Sequence, residues 1–465
     1  MAGRFLRVSA YKDLLSHSRF FLTLRSQGDR YHSLILFRLS SEKSAEELLT
    51  GKDVRPADPD DWQLYAMEAS CPHLGADLSH AEIEQCDTGA VAVCPWHRYD
   101  FDLRTGKSET GLKACTYATQ VRTDDEGVDN VWVETPDGGT NWRLVELRPV
   151  SEEFADPPPT TPDLSRLSLS AQGTGGDNFT RPEEVVPTEG APSTLMQWAV
   201  LILNTKDPTM KVQRTKHAVH LFRKGQLNSI GHRSSTAPRP PDAPPRHDSY
   251  TNNLVDPRKA GKRKNKAMML HALANVEQWA IDLAWDIIAR FGPDHPELPP
   301  AFFSDFSKMA LDESKHFSLL VARLAAISPS TPYGSLPVHA ALWSSASVTF
   351  SSLRARLAII HMVHEARGLD VNPGTIEKFR RAGDLESVKA LEIIHQDEVT
   401  HVATGHRWFT WICAQQGVDP VQTFRQDVRR CWRAEVKGPF NVEARGIAGL
   451  TPDFYENLRG DLPND

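Results

Sequence analysis

The chain has 465 residues, of which 40% are hydrophobic and 24% charged, as is typical of a soluble enzyme with two or three domains. Its net charge of −7 argues against a general affinity for nucleic acid. Residues 1–15 contain no apolar segment of signal-peptide length, and no apolar run is long enough to span a membrane. We therefore expect a cytoplasmic protein without membrane contact, whose six cysteines serve a purpose other than disulfide bonds.

The first part of the chain, residues 1–150, has the pattern of a small β domain. Short runs of β-branched and aromatic residues are separated by polar turns, which is the pattern of strands. Six such runs predict strands: Phe20–Leu24, Ser33–Leu39, Leu64–Glu68, Val91–Cys94, Tyr117–Arg122 and Val131–Glu134.

Two cysteine and histidine pairs lie within this region. One residue separates Cys71 from His73, and two residues separate Cys94 from His97. By spacing alone these residues could form a Cys₂His₂ zinc site. The flanking sequence decides against zinc, because Cys71-Pro-His-Leu-Gly, Cys94-Pro-Trp-His and the following Phe101-Asp-Leu-Arg-Thr-Gly together resemble Rieske proteins.

The resemblance implies stacked antiparallel sheets with a [2Fe–2S] cluster held between two loops. Rieske proteins of cytochrome bc complexes carry a further bridged cysteine in each loop, where this chain has Ala76 and Trp96. A low-potential centre, as in ferredoxins and oxygenases, is therefore the better expectation. Two cysteines would hold one iron and two histidines the other: Cys71, Cys94, His73 and His97.

The composition changes after residue 150. A Pro-rich segment, Asp156–Pro162, and a Gly- and Ser-rich segment, Ser165–Asp177, predict a linker over 151–192. A second Pro-rich stretch, Ala237–Lys266, is also basic. It could bind an anionic substrate or RNA, or it could be a solvated loop.

Residues 193–465 are predicted to form an all-α domain. Apolar segments with helical periodicity indicate four long helices, at about 266–291, 301–326, 349–368 and 384–414. Two of these helices carry the pattern Glu-x-x-His, and each of the other two carries one glutamate. The residues are Glu313 with His316, Glu398 with His401, and the single glutamates Glu277 and Glu365.

These six residues predict a metal centre. On a helix, Glu and His three residues apart lie on the same face. One such pair is usually solvated surface, but four carboxylates and two imidazoles inside apolar helices would be very costly without a cation. They form the ligand set of di-iron and di-manganese carboxylate bundles. Over about half of its length the chain thus resembles the ferritin-like di-iron carboxylate superfamily, as an uncharacterised branch, with a four-helix bundle as the implied fold.

The same resemblance implies two bound iron ions, with manganese or a mixed metal pair as alternatives. A metal-bound histidine normally donates its second ring N–H to a carboxylate. We expect Asp312 to accept from His401 and Asp397 to accept from His316. His361 lies one turn before the predicted ligand Glu365, and it is either an additional ligand or a hydrogen-bonded core residue.

Together the two resemblances imply an O₂-activating di-iron oxygenase or oxidase that hydroxylates, N-oxygenates or desaturates a small organic substrate. Each turnover of a monooxygenase needs two external electrons, which we expect from a flavin-dependent NAD(P)H reductase through the Rieske cluster. Mononuclear Rieske oxygenases use a two-His, one-carboxylate site, which would leave the six-residue pattern unexplained. A homo-oligomer is left open.

Three alternatives remain at this level. The chain could be a peroxide reductase resembling rubrerythrin, a non-catalytic electron-transfer or iron-binding protein, or a hydroxylase of nucleosides in RNA. Salt-dependent RNA binding through Arg258–Lys266 would favour the last of these. Four tryptophans of the ligand helices either pack in the core or assist electron transfer: Trp279, Trp285, Trp408 and Trp411.

Overall fold

The computed structural model describes residues 5–15, 17–39, 63–86, 89–150, 183–247, 254–255 and 265–463. The chain divides into two compact units, Met1–Pro157 with Arg223–Gly225, and Pro158–Phe222 with Gln226–Asp465. Antiparallel β-structure in the first unit and α-helices in the second confirm the predicted fold class. Within the described ranges, the helices are all too short or too polar to cross a membrane.

Two predicted segments lie largely outside the described residues. The linker 151–192 is described only from residue 183 onward. In Ala237–Lys266, residues 248–253 and 256–264 are outside, and these include most of the basic side chains. The domain boundaries and the RNA-binding alternative therefore stay predictions.

The first unit contains eleven strands in its described part, arranged in three antiparallel sheets. The sheet orders are β1-β10-β9, β11-β2-β3-β4-β8 and β5-β6-β7. The strands are β1 (Phe5–Ala10), β2 (Arg19–Arg25), β3 (Tyr31–Arg38), β4 (Leu64–Glu68), β5 (Glu82–Cys86), β6 (Gly89–Val93), β7 (Asp100–Asp102), β8 (Thr116–Tyr117), β9 (Thr119–Thr123), β10 (Asp129–Glu134) and β11 (Arg143–Pro149). All six predicted runs overlap these strands, whereas β1, β5, β7 and β11 were not predicted.

Strand β3 is buried on both faces and separates two apolar clusters. Successive side chains of a strand point to opposite faces. Leu34 and Leu36 therefore pack into one cluster, and Ile35 and Phe37 pack into the other. The second cluster also contains the two cysteines of the Rieske-like motif. The sheet thus places these cysteines at the edge of a hydrophobic core.

The second unit contains ten helices among its described residues. Helix α3 packs against α4, and α6 packs against α7, which also contacts α4. The helices are α1 (Leu195–Leu203), α2 (Pro208–Arg223), α3 (Lys266–Phe291), α4 (Pro300–Ile327), α5 (Ala341–Ser347), α6 (three continuous segments, Leu353–Arg356, Leu357–His364 and Glu365–Arg381), α7 (Leu385–Gln416), α8 (Pro420–Cys431), α9 (Val442–Ala448) and α10 (Pro452–Tyr455).

Local sequence signals define the ends of the long helices. The side chain of Asn265 accepts the backbone N–H of Met268 at the start of α3, and Asp384 accepts that of Ser387 at the start of α7. Such caps satisfy N–H groups that have no partner within the helix. Helix α7 ends at Gly417, whose φ of 65° is left-handed, as is common at helix C-termini.

Helix α6 differs from the predicted segment 349–368, because it spans 353–381. It continues through Pro373, which has no N–H to donate to the carbonyl four residues earlier. That carbonyl, of Leu369, instead accepts a hydrogen bond from the side-chain amide of Asn441 at 3.3 Å. A distant side chain therefore compensates the lost helical bond, and the helix does not end at the proline.

Candidate metal centres

Two loops of the first unit hold the predicted cluster ligands in the same backbone geometry. The N–H of Cys71 donates to the carbonyl of Ala76 at 2.8 Å, and the N–H of Gly75 donates to the carbonyl of Cys71 at 2.8 Å. Both bonds close the loop tightly around the cysteine. In the second loop the N–H of Cys94 donates to the carbonyl of Tyr99 at 2.7 Å, and the N–H of Arg98 donates to the carbonyl of Cys94 at 2.9 Å.

The fourth residue after each cysteine has a left-handed backbone. Gly75 has a φ of 77° and Arg98 has a φ of 58°. Glycine adopts this conformation readily, but an arginine there is strained. The Arg98 side chain forms ion pairs with Glu82 and, at 2.9 Å, with Glu84. These contacts help to hold the second loop in its strained conformation.

The four side chains of the two loops form a donor set suited to a [2Fe–2S] cluster. Cys71 and Cys94 are buried and free. Their mutual hydrogen bond raises the pKa of Cys71 and, with backbone N–H groups nearby, lowers the pKa of Cys94 to about 6. The ring centroids of His73 and His97 lie 4.7 Å apart. Nδ1 of His73 is buried with no hydrogen-bond partner among the described residues. Two thiols and two imidazoles are the ligands of this cluster type.

The six predicted carboxylate and imidazole ligands of the second unit lie together. They fall into two groups, and within each group the candidate ligand atoms lie within 4.8 Å of one another. Two glutamates belong to both groups, so the groups adjoin. One group is Glu277, Glu313, His316 and Glu398, and the other is Glu313, Glu365, Glu398 and His401.

Glu313 lies between the two imidazoles. Its Oε2 is 3.3 Å from Nδ1 of His316, and its Oε1 is 3.0 Å from Nδ1 of His401. Glu277 approaches the first imidazole at 3.6 Å, and Glu398 approaches the second at 3.8 Å. Because its two oxygens face different imidazoles, Glu313 could offer one oxygen to each of two adjacent metal sites.

A carboxylate stands behind each imidazole. Asp397 Oδ2 lies 2.9 Å from Nε2 of His316, and Asp312 Oδ2 lies 3.4 Å from Nε2 of His401. Both contacts leave Nδ1 of the imidazole facing the glutamates. Lys315 Nζ lies 2.7 Å from the same oxygen of Asp397. This lysine was not predicted as part of the site, because in the sequence nothing distinguishes it from other charged residues of a helix.

The acidic groups perturb one another strongly. Burial, together with the charge of Glu313, raises the pKa of Glu277. Burial and the neighbouring Glu398 likewise raise the pKa of Glu365. Burial also acts to raise the pKa of Glu313, but the facing imidazoles outweigh it and lower that pKa. Carboxylates crowded into a low-dielectric site cannot all ionise unless a cation compensates them.

Unpaired polar atoms also fit a metal pair. Oε1 of Glu313 and Nδ1 of His401 are buried and face each other at 3.0 Å, but neither they nor the buried Oε2 of Glu398 makes a hydrogen bond of normal geometry in the described part of the chain. Buried polar atoms are nearly always paired. These carboxylate and imidazole atoms could ligate a metal ion, and their chemistry suits iron, manganese or zinc rather than a hard cation with oxygen ligands alone.

His361 lies beside the second group. It belongs to the π-helical segment Leu357–His364, and its Nδ1 is 4.0 Å from Oε1 of Glu365. Burial and the charge of Arg356 lower its pKa. Neither ring nitrogen has a hydrogen-bond partner among the described residues. The distance leaves its role as an additional ligand a prediction. The π-helical turn was not predicted from the sequence.

Two family models match the chain. Residues 39–118 match the Rieske [2Fe-2S] domain. Residues 204–456, more than half of the chain, match a family described as protein of unknown function (DUF455). The chain belongs to the DUF455 family. It combines the DUF455 region with an N-terminal Rieske domain, which supports a [2Fe–2S] cluster and exchange of electrons with a partner protein.

Individual relatives match each region of this DUF455 protein. An uncharacterized protein of Haemophilus influenzae is 35% identical over 206 residues, which are 43% of this chain and 71% of the relative. A human Rieske domain-containing protein is 40% identical over 45 residues, or 10% of this chain and 29% of its own length. A solved chain described as the NADH-dependent nitrite reductase small subunit of Mycobacterium tuberculosis aligns with a TM-score of 0.20 and 18% identity, over 29% of this chain and 96% of its own.

Proposed function

We propose that this DUF455 protein is an O₂-activating oxygenase or oxidase with a dinuclear iron centre of the ferritin-like type. Its electrons would come from an external flavin-dependent NAD(P)H reductase through the Rieske cluster. The observation that supports this proposal best is the pair of buried ligand groups that share Glu313 and Glu398. A shared pair of carboxylates is the arrangement that two adjacent metal ions need.

The proposal assigns each ligand to a position. One metal would be held by Glu277 and His316, the other by Glu365 and His401, and the two shared glutamates would hold both. Two iron ions bound there would supply the redox chemistry with O₂. In the Rieske domain the ligands would be these four residues: Cys71, Cys94, His73 and His97.

The charges of the second centre support a pair of divalent ions. The four ligand glutamates carry the charge that two divalent cations would neutralise. Both imidazoles would then coordinate in their neutral form. Asp397 and Asp312 would accept hydrogen bonds from Nε2–H of His316 and His401, and this tautomer would leave the lone pair of Nδ1 for a metal ion.

The surroundings of the centre support oxygen chemistry on an organic substrate. Glu313 is 1% exposed and His316 is fully buried, so the protein keeps bulk water away from the reacting atoms. The Rieske cluster carries one electron at a time, whereas an oxygenase needs two per turnover. Two sequential transfers from the reductase through the cluster would satisfy that need. A small organic molecule that is hydroxylated, N-oxygenated or desaturated is the proposed substrate class.

The test is an anaerobic reduction of the purified protein followed by an O₂ pulse, observed by Mössbauer and EPR spectroscopy. We expect about four irons per chain, two in each centre, and reoxidation of the Rieske cluster in step with the second centre. About two irons per chain, with a second unit that is inert to O₂, would leave only an electron carrier. Reoxidation by H₂O₂ but not by O₂ would favour a peroxide reductase.

Variants separate the two centres. Glu313→Ala should lose the iron of the second unit and leave the Rieske signal intact, because it removes a donor from both metal positions. Cys94→Ser should abolish the Rieske signal and leave the second centre loaded. Glu392→Ala, on the same helix as Glu398 and with a side chain 48% exposed, is the control that should change neither. Full iron occupancy in Glu313→Ala would contradict the assignment.

A further inference from the structure

Aromatic rings form a continuous row from the second metal centre toward the surface. His361, beside Glu365, contacts Phe306 with ring centroids 4.9 Å apart. The row continues through Phe302 at 4.7 Å, Trp408 at 5.3 Å and Trp411 at 5.7 Å. Trp408 also lies seven residues after His401 on α7, which is about 10 Å along a helix axis.

The row ends at a cavity of about 700 Å³, which Trp411 helps to line. Its lining combines apolar side chains, such as Leu353 and Ile412, with the polar side chains of Arg354, Gln415 and others. Trp411 is half-buried, so its indole is in reach of a small molecule in the cavity. The outermost ring of the aromatic row is therefore in contact with a cavity that a small molecule can enter.

Trp408 has a proton acceptor in place. Its side chain is 2% exposed, and Nε1–H donates to Oδ2 of Asp305 at 2.8 Å. The guanidinium of Arg407 lies 3.1 Å from the same oxygen and 5.1 Å from the centre of the indole ring. A cation over the ring disfavours an indole radical cation, whereas the carboxylate can take the N–H proton. Oxidation of Trp408 would therefore be coupled to proton transfer.

The two tryptophans of α3 lack this arrangement. Trp285 donates to the hydroxyl of Thr215 at 3.0 Å, and Trp279 donates to the carbonyl of His339 at 3.3 Å. Neither acceptor takes a proton as a carboxylate does. The structure thus distinguishes Trp408 from both of them.

We propose that Trp408 and Trp411 form a redox outlet that protects the metal centre when an O₂-derived oxidant arises there without substrate. Trp408 gives one electron to that oxidant, and its Nε1 proton passes to Asp305. An electron from Trp411 then restores Trp408, with the proton returning from Asp305, and Trp411 releases its own proton to solvent. A small one-electron reductant of the enediol class, bound in the cavity, reduces Trp411, which regains a proton from solvent.

This inference rests on the proposed function, so the test separates the two. The protein is loaded with metal, reduced and mixed with O₂ in the absence of substrate. The mixture is then freeze-quenched, and EPR spectra are compared between protein with ordinary tryptophan and protein with indole-deuterated tryptophan. We expect an organic radical whose hyperfine structure narrows on deuteration. It should be lost in Trp408→Phe and kept in Trp285→Phe. Trp285 is the matched control, since it is also fully buried and lies eight residues after the ligand Glu277 on its helix.

Two further variants complete the test. Asp305→Asn, which keeps a hydrogen-bond acceptor but not a base, should lose the radical, and it serves if Trp408→Phe fails to fold. In Trp411→Phe the radical should form but should no longer be quenched by ascorbate. Peptide mass spectrometry after repeated O₂ pulses should find oxidised indole at Trp408 in that variant and less in the wild type.

The outcomes are distinct. The proposed role of Trp408 would be refuted if the radical signal had full intensity in Trp408→Phe, or if Trp285→Phe lost the signal to the same extent. O₂ consumption by the wild type without a tryptophan radical would also overturn it but leave the proposed function standing. No reaction of the reduced wild type with O₂ would overturn both.

Discussion

Gly405 of α7 allows a close contact between α7 and α6 beside the candidate ligands of the second unit. A Cβ at this position would lie 2.2 Å from the carbonyl oxygen of His361, 2.7 Å from its carbonyl carbon and 2.8 Å from its Cβ. The first two are backbone atoms of the π-helical turn, which cannot rotate away as a side-chain end can. We therefore expect Gly405→Ala to force α6 and α7 apart.

The magnitude follows from the geometry. Ordinary contact begins near 3.4 Å, so the backbone must move by about 1.2 Å from the 2.2 Å position. Overpacking of this kind costs about 3 kcal/mol, and the better helix propensity of alanine returns about 1 kcal/mol. We expect a net loss of about 2 kcal/mol in the free energy of unfolding. The same movement should draw His361 away from Glu365.

Urea unfolding of the metal-free protein, followed by circular dichroism, measures this loss. Gly374→Ala is the matched control, because Gly374 lies in α6 and a Cβ added there would meet no atom within 4 Å. That variant should gain up to about 1 kcal/mol from helix propensity. If Gly405→Ala were as stable as the wild type or Gly374→Ala, the close contact would not exist in solution.

Two further predictions concern the surroundings of the helices. Nε2 of His271 accepts a hydrogen bond from the N–H of Gly334 at 2.9 Å, and burial lowers the pKa of His271 to about 4. The neutral imidazole therefore stabilises the folded protein, by up to about 3 kcal/mol. This contribution to the free energy of unfolding should be complete above pH ~6.5 and should decline as the pH falls toward 4. An NMR titration in which His271 protonates near pH ~6.5 would contradict this. Asn441→Ala should lower the free energy of unfolding by about 1–2 kcal/mol, because the side chain caps α9 and donates a hydrogen bond to the carbonyl of Leu369. Asn441→Asp keeps the cap and should recover part of the loss; equal stability of all three proteins would refute the role of that amide.

The pattern of the candidate ligands could be recognised in the sequence because it is local. Glu-x-x-His fixes two side chains on one helix face, and its occurrence in two apolar helices predicts which faces must meet. The same holds for most central strands, whose β-branched and aromatic residues are characteristic. Strands β1 and β11 were missed because charged residues interrupt their apolar pattern.

The features that the sequence did not reveal depend on distant contacts. Where helix α6 passes Pro373, Asn441, far along the chain, supplies a donor to the carbonyl that the proline leaves open. The π-helical turn is packed against Gly405 of another helix. Lys315 resembles any charged residue of a helix until the fold brings Asp397 to it. Propensity and spacing carry no information about such pairs.

The two-sided burial of strand β3 has a consequence for variation in the first unit. Side chains at 34 and 36 border a cluster remote from the cysteines, whereas those at 35 and 37 share a cluster with Cys71 and Cys94. Tolerance to substitution should therefore alternate with a period of two along a single strand. A change of volume at Leu36 should alter stability alone, while the same change at Phe37 should also shift the reduction potential of the Rieske cluster.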